Sequence, residues 1–146
     1  MVAIGKGGRD IAPAAALGHV FGYSIGVDLT RRDLQDEAKG MRRPWDLSKG
    51  FDASAPIGSI VPASEIGHPA AGRIALSVNG QLRQDGDLAD QIWPVPDIVA
   101  TLSKFVALAP GDLIFTGTPE GVGAIVKGDM VEGEIAGIGT LRTKII

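Results

Sequence analysis

The octapeptide Ile74-Ala75-Leu76-Ser77-Val78-Asn79-Gly80-Gln81 constrains the fold of this chain more than any other segment. Ile74, Leu76 and Val78 recur at every second residue, the period of a strand with one buried face. Asn79-Gly80 follows directly and is the dipeptide best suited to a two-residue hairpin turn, because both central positions need positive φ. The segment therefore predicts a β-hairpin. Twenty-one glycines and nine prolines are spread through the 146 residues rather than clustered. That distribution reads as tight turns between short elements, not as a linker, and there is no internal repeat.

The remaining elements follow from periodicity and capping residues. Residues 2–4 read as the end of a strand that runs into the Gly5-Lys6-Gly7-Gly8 loop, with Asp10 capping a short helix over residues 13–19. Residues 22–29 read as a strand ending at Asp28. Thr30-Arg31-Arg32-Asp33 resembles a capping box with Asp in place of Glu, opening a helical turn that stops by Gly40. Residues 57–61 read as a short buried strand. Asp97 is expected to cap a helix whose apolar face is Ile98, Leu102, Phe105 and Val106, ended by Pro110-Gly111. Residues 113–115 form a strand entering a Gly-rich loop, and residues 130–135 and 140–145 form two more, joined by Gly137-Ile138-Gly139. Strands dominate and no βαβ repeat appears. The expected class is mainly β with a few short helices (α+β), a mixed-sheet domain occupying residues 1–146.

Composition removes several functions. With 45% hydrophobic and 21% charged residues, the chain can bury a core and stay folded. Its net charge of −3 and lack of a Lys/Arg run argue against a nucleic-acid partner. The apolar stretches fall far short of a membrane span, and residues 1–10 hold no signal-peptide core. The absence of cysteine removes disulfides, thiolate metal sites and a Cys nucleophile, and it fits a cytoplasmic protein.

Four constellations carry chemistry. Asp28, between Val27 and Leu29, is a carboxylate in an apolar setting, where burial is costly unless it is paired or binds a metal. From these residues alone a cap, or a salt bridge to Arg31 or Arg32, is the better reading, since a hard cation wants several oxygens and one carboxylate does not make a metal site. Lys49 lies among Trp45, Gly50 and Phe51, as a cation presented to an anionic substrate or a lysine reaching to solvent. Thr116-Gly117-Thr118-Pro119-Glu120-Gly121-Val122-Gly123 follows a strand. Its amides and the Thr118 hydroxyl suit a bound carboxylate, although the same residues make a tight turn. It is not a phosphate-binding P-loop, and the Gly5-x-Gly7 run lacks the third glycine of a dinucleotide fingerprint. Gly22-Tyr23-Ser24-Ile25-Gly26 matches GxSxG, but the apolar run continues through Val27 and Leu29 as a strand would, so a serine nucleophile is not expected. His19 and His68 have no partner histidine at zinc spacing.

Taken in order, these pieces resemble the fumarylacetoacetate hydrolase superfamily. The resemblance rests on Gly22-Tyr23-Ser24-Ile25-Gly26-Val27-Asp28-Leu29-Thr30-Arg31-Arg32-Asp33-Leu34-Gln35, on Lys49-Gly50-Phe51-Asp52, on Val78-Asn79-Gly80, and on residues 111–123. The stretches 42–52 and 61–64 look most like its bacterial fumarylpyruvate hydrolases. The resemblance implies a mixed β-sandwich roll, usually a homodimer, and Mg²⁺ or Mn²⁺ held by three carboxylates, of which Asp28 matches the third. The other two, a Glu-x-Glu pair, are expected upstream of Met1, as is the lid with its water-activating His/Glu pair. On that expectation the domain is incomplete at its N-terminus. Lys49 is the implied catalytic residue, and Arg32, Gln35, Gly117 and Thr118 are the implied substrate contacts. A Thr that follows the lysine in some members is Ala53 here.

The implied reaction is hydrolysis of a C–C bond in an acylpyruvate, with a small-molecule 2-oxo acid as substrate. Metal and Lys49 would stabilise the pyruvate enolate as it leaves. Oxaloacetate decarboxylation or tautomerisation and isomerisation of a hydroxymuconate-type diacid pass through the same enolate, so these residues do not separate them. An inactive fragment is the third reading.

Overall fold

The computed structural model describes residues 1–146. Eight strands and five α-helices follow one another. Strand β1 spans Val2–Ile4, helix α1 Pro13–Ala16, β2 Val20–Tyr23, α2 Arg32–Gly40 and α3 Asp46–Lys49. Then come β3 (Val61–Pro62), α4 (Ala63–Ile66), β4 (Arg73–Val78), β5 (Gln81–Asp87) and α5 (Val95–Phe105). The chain finishes with β6 (Leu113–Ile114), β7 (Met130–Ile135) and β8 (Gly139–Lys144).

The strands form two four-stranded sheets, β3-β2-β1-β6 and β5-β4-β7-β8, and every pair within them is antiparallel. The expected hairpin is β4–β5. Asn79 and Gly80 both take positive φ (52° and 77°), the combination its turn requires. The apolar cluster joins both sheets to α5: Val2 and Ile4 from β1, Ile25, Val99 from α5, Ile114 and Ile135. Val2, Ile4 and Val99 are at most 2% exposed, and burying each contributes roughly 1.5–3 kcal/mol. The Met1 ammonium donates to the Ser24 carbonyl at 3.0 Å, and burial lowers its pKa.

Several boundaries differ from the sequence expectation. The strand expected at residues 22–29 is β2, displaced toward the N-terminus and ending at Tyr23. Residues 24–29 remain extended and tied to neighbours, with Val27 donating to Pro56 and Leu29 to Ser54, but they join no sheet. The strand expected at 57–61 is an isolated bridge from Ile57 to Gly26 plus the two residues of β3. Asp10 does not cap α1: it takes φ 52°, and Ala12 occupies the cap. No capping box forms at Thr30, whose hydroxyl instead donates to the Asp28 carbonyl, and Arg31 occupies the cap of α2. Asp97 lies in the first turn of α5 rather than at its cap, which is Pro94. The buried face of α5 carries Val99, Ala100 and Ser103, while Phe105 and Val106 are exposed. Ser103 is there because its hydroxyl accepts the Ile11 amide (2.9 Å) and donates to the Ala100 carbonyl (2.8 Å), which anchors the loop before α1.

Candidate active site

A cleft of about 480 Å³ opens between the extended segment around Asp28, the hairpin β4–β5 and the loop after β6. Asp28, Arg32, Lys49, Gly117 and Thr118 all line it. Residues far apart in sequence are thus brought together, and local contacts explain how.

Lys49 is the last residue of α3, a single turn closed by the Ser48 hydroxyl donating to the Trp45 carbonyl at 2.6 Å. The Arg31 amide donates to the Ser48 carbonyl (3.0 Å), and the Arg31 guanidinium lies 4.6 Å from the centre of the Phe51 ring. These contacts fasten residues 45–51 to the start of α2 and set the Lys49 ammonium 2.5 Å from Asp28 Oδ2. The Lys49 and Asp28 side chains are 33% and 49% exposed, so the pair adds at most about 1 kcal/mol of stability. An ammonium has three N–H donors; Asp28 takes one, and two remain to donate into the cleft.

The wall formed by residues 115–123 is held from two sides. Gly26 leaves room for the Phe115 ring, since a Cβ there would lie 2.6 Å from a ring carbon. Gly121, at φ 94°, presses on the Arg83 carbonyl, where a Cβ would come within 2.0 Å. Between these contacts Gln84, 9% exposed, donates its amide to Thr118 Oγ1 and to the Pro119 carbonyl, both at 2.7 Å. Because the Thr118 oxygen accepts from Gln84, its own O–H is free to donate into the cleft.

Gln35 does not line the cleft. It is 3% exposed on α2, and its Oε1 accepts from Arg32 Nη1 at 2.9 Å, so it orients Arg32. Arg83 and Gln84 line the cleft although sequence reasoning passed over them, and Asp33, expected only in a capping box, lines it too. A Gln four residues after a hairpin turn carries no sequence signal of its own, because its burial depends on the loop that covers it. Ser24 is fully buried and donates to the Gly58 carbonyl at 2.9 Å, so its hydroxyl is no nucleophile. His68 lies 2.7 Å from the Tyr23 hydroxyl and His19 2.8 Å from the Lys6 carbonyl, both away from the cleft.

No group of three or more His, Asp or Glu side chains within residues 1–146 is arranged so that it could hold a metal ion. Asp28 is one carboxylate, already engaged by Lys49. That donor set does not by itself fit Mg²⁺ or Mn²⁺, which take several oxygens.

Residues 1–146 match the family profile described as fumarylacetoacetate (FAA) hydrolase C-terminal. The chain belongs to the fumarylacetoacetate hydrolase family. It is 44% identical to the fumarylpyruvate hydrolase of a Ralstonia species, covering 99% of this chain and 75% of that protein. It is 43% identical to the mitochondrial oxaloacetate tautomerase FAHD1 of Rattus norvegicus, over 99% of this chain and 65% of the relative. Among solved structures, the Pseudomonas aeruginosa fumarylpyruvate hydrolase in complex with Mn²⁺ and pyruvate superposes with a TM-score of 0.96 at 51% identity. The match covers 99% of this chain and 62% of that one. The 5-carboxymethyl-2-hydroxymuconate delta-isomerase of Mycobacterium smegmatis superposes with a TM-score of 0.91 at 34% identity, covering 99% and 55%. The chain therefore spans a little under two thirds of the length of several of its relatives. The two antiparallel sheets and few short helices are the fold that family membership implies. No helix is long and apolar enough to cross a membrane.

Proposed function

We propose that the protein hydrolyses an acylpyruvate of the fumarylpyruvate kind, cleaving its C–C bond to give pyruvate and a carboxylic acid. The observation that carries this reading is the Lys49 ammonium in the cleft, fixed by Asp28 and left with two donors. The 44% identity to a fumarylpyruvate hydrolase supports it.

In this reaction water adds its hydroxyl to the acyl carbonyl, the C–C bond breaks, and the electron pair stays on pyruvate as its enolate, which then takes a proton. Lys49 meets the negative charge on the enolate oxygen, the kind of preorganised stabilisation that contributes most in such sites. Thr118 donates to a substrate oxygen, and Arg32, held by Gln35, positions a carboxylate. The proposed cofactor is Mg²⁺ or Mn²⁺, with Asp28 the ligand this chain offers and the remaining ligands outside residues 1–146. The water-activating pair is proposed to lie outside them as well. A cytoplasmic homodimer accompanies this reading.

A second reading is oxaloacetate tautomerisation, favoured by the 43% identity to FAHD1. It needs the same enolate stabilisation but no water attack. Parallel assays of the full-length protein with Mn²⁺ on fumarylpyruvate and on oxaloacetate separate them. Pyruvate release from fumarylpyruvate supports the hydrolase. Enol–keto exchange of oxaloacetate without hydrolysis selects the tautomerase, and inactivity on both refutes both.

A further inference from the structure

The β4–β5 hairpin carries an irregularity that re-aims one side chain. Leu76 faces Gln84 and Ser77 faces Leu82, so Arg83 has no partner across the strands and forms a β-bulge. On a regular strand Leu82 and Gln84 would share one face and Arg83 the other. Here Leu82 is 57% exposed and stays out of the cleft, while Arg83 and Gln84 both line it. Bulges commonly re-aim a residue in this way beside a site.

Arg83, which lines the cleft, forms no ion pair. The ion pairs of the molecule are Lys49–Asp28, Arg73–Asp85 and Arg142–Glu132, so no carboxylate lies within 4.0 Å of Arg83. Asp129 feels its charge, but the Asp129 oxygens are taken by the Asn79 side-chain amide and the Val126 backbone amide, each at 2.8 Å. The cleft as a whole holds three cations (Arg32, Lys49, Arg83) against two carboxylates (Asp28, Asp33), one net positive charge in a chain of net charge −3. Arg32 and Lys49 come from the α2–α3 side, whereas Arg83 stands on the hairpin beside the Thr118 loop. Two separate cationic walls match a substrate with an anion at each end.

We propose that Arg83 is a specificity-determining residue that binds a second carboxylate, at the acyl end of the substrate, and so selects dianionic over monoanionic acylpyruvates. This rests on the acylpyruvate reading above and names its substrate class. Arginine suits the task because its planar donors meet a carboxylate two at a time.

The test uses fumarate, whose two carboxylates represent a dianionic acyl product, and crotonate, the same skeleton with a methyl in place of one carboxylate. Calorimetric titration of each into the full-length protein, with and without Arg83→Gln, reads the effect. Fumarate should bind more tightly than crotonate. Arg83→Gln should weaken fumarate roughly 10- to 100-fold, the scale of a charge-assisted bond, and move crotonate far less. Arg83→Lys should restore part of the preference. Unchanged fumarate affinity in Arg83→Gln, an equal loss for both ligands, or no fumarate binding by the unsubstituted protein would each overturn the assignment. Arg83-dependent fumarate binding in a protein that releases no pyruvate from fumarylpyruvate would refute the hydrolase reading and leave the role of Arg83 standing.

Discussion

Replacing Gln84 with Leu tests whether the Thr118 loop is held as the geometry indicates. The substitution deletes two hydrogen bonds of 2.7 Å, one to Thr118 Oγ1 and one to the Pro119 carbonyl. Each is worth about 1 kcal/mol net. Thr118 is exposed, so water replaces part of its loss, and the expected total is about 1–2 kcal/mol. With a urea slope of about 1–3 kcal/mol per molar, the unfolding midpoint should fall by roughly 0.3–2 M. Thr118→Val removes only one of the two bonds, and the double variant isolates it. Circular dichroism of urea unfolding for the four proteins should give a coupling between Gln84 and Thr118 of about 1 kcal/mol. The same Gln84→Leu protein should lose activity, because the Thr118 hydroxyl is no longer aimed. A coupling below about 0.3 kcal/mol, within the additivity of independent sites, would show that Gln84 does not position Thr118.

In the full-length enzyme, Lys49→Met should cut turnover on fumarylpyruvate by about two orders of magnitude or more, the scale of one lost oxyanion donor; near-normal turnover would make Lys49 a surface lysine. Calorimetric titration of Mg²⁺ or Mn²⁺ into residues 1–146 alone should show no tight binding, because Asp28 stands without other ligands; binding as strong as that of the full-length protein would mean that Asp33 or Asp52 completes a site. Burial pushes the Tyr23 hydroxyl up to about 12 from 10.0. The folded chain therefore holds that proton more tightly than the unfolded one, so stability is intact below pH 10 and falls as pH rises from 10 through 12. Tyr23→Phe should flatten that alkaline loss in a pH series of thermal melts, and an unchanged slope would refute the assignment.

The sequence by itself determined the local features. Alternation at Ile74, Leu76 and Val78 with Asn79-Gly80 gave the hairpin, because strand period and positive-φ turn chemistry are properties of neighbouring residues. Family membership was legible in the ordered segments around Asp28, Lys49 and Thr118, since their residue types and order are enough to recognise. The sequence did not show where the strand before Asp28 stops, because Ser24 through Leu29 have a strand's composition and lack only sheet partners. It ran the buried face of α5 too far for a related reason: Ile98 and Leu102 pack against the core, but Phe105 and Val106 are exposed, because burial depends on what packs opposite. The Lys49–Asp28 contact spans 21 residues and depends on the Arg31 amide meeting Ser48, a long-range bond with no local signature. The bulge that turns Arg83 toward the cleft is likewise a property of two strands in register. Strand period alone would put Leu82 and Gln84 on one face and Arg83 on the other; the pairing with β4 leaves Arg83 unpaired and brings it to the cleft beside Gln84.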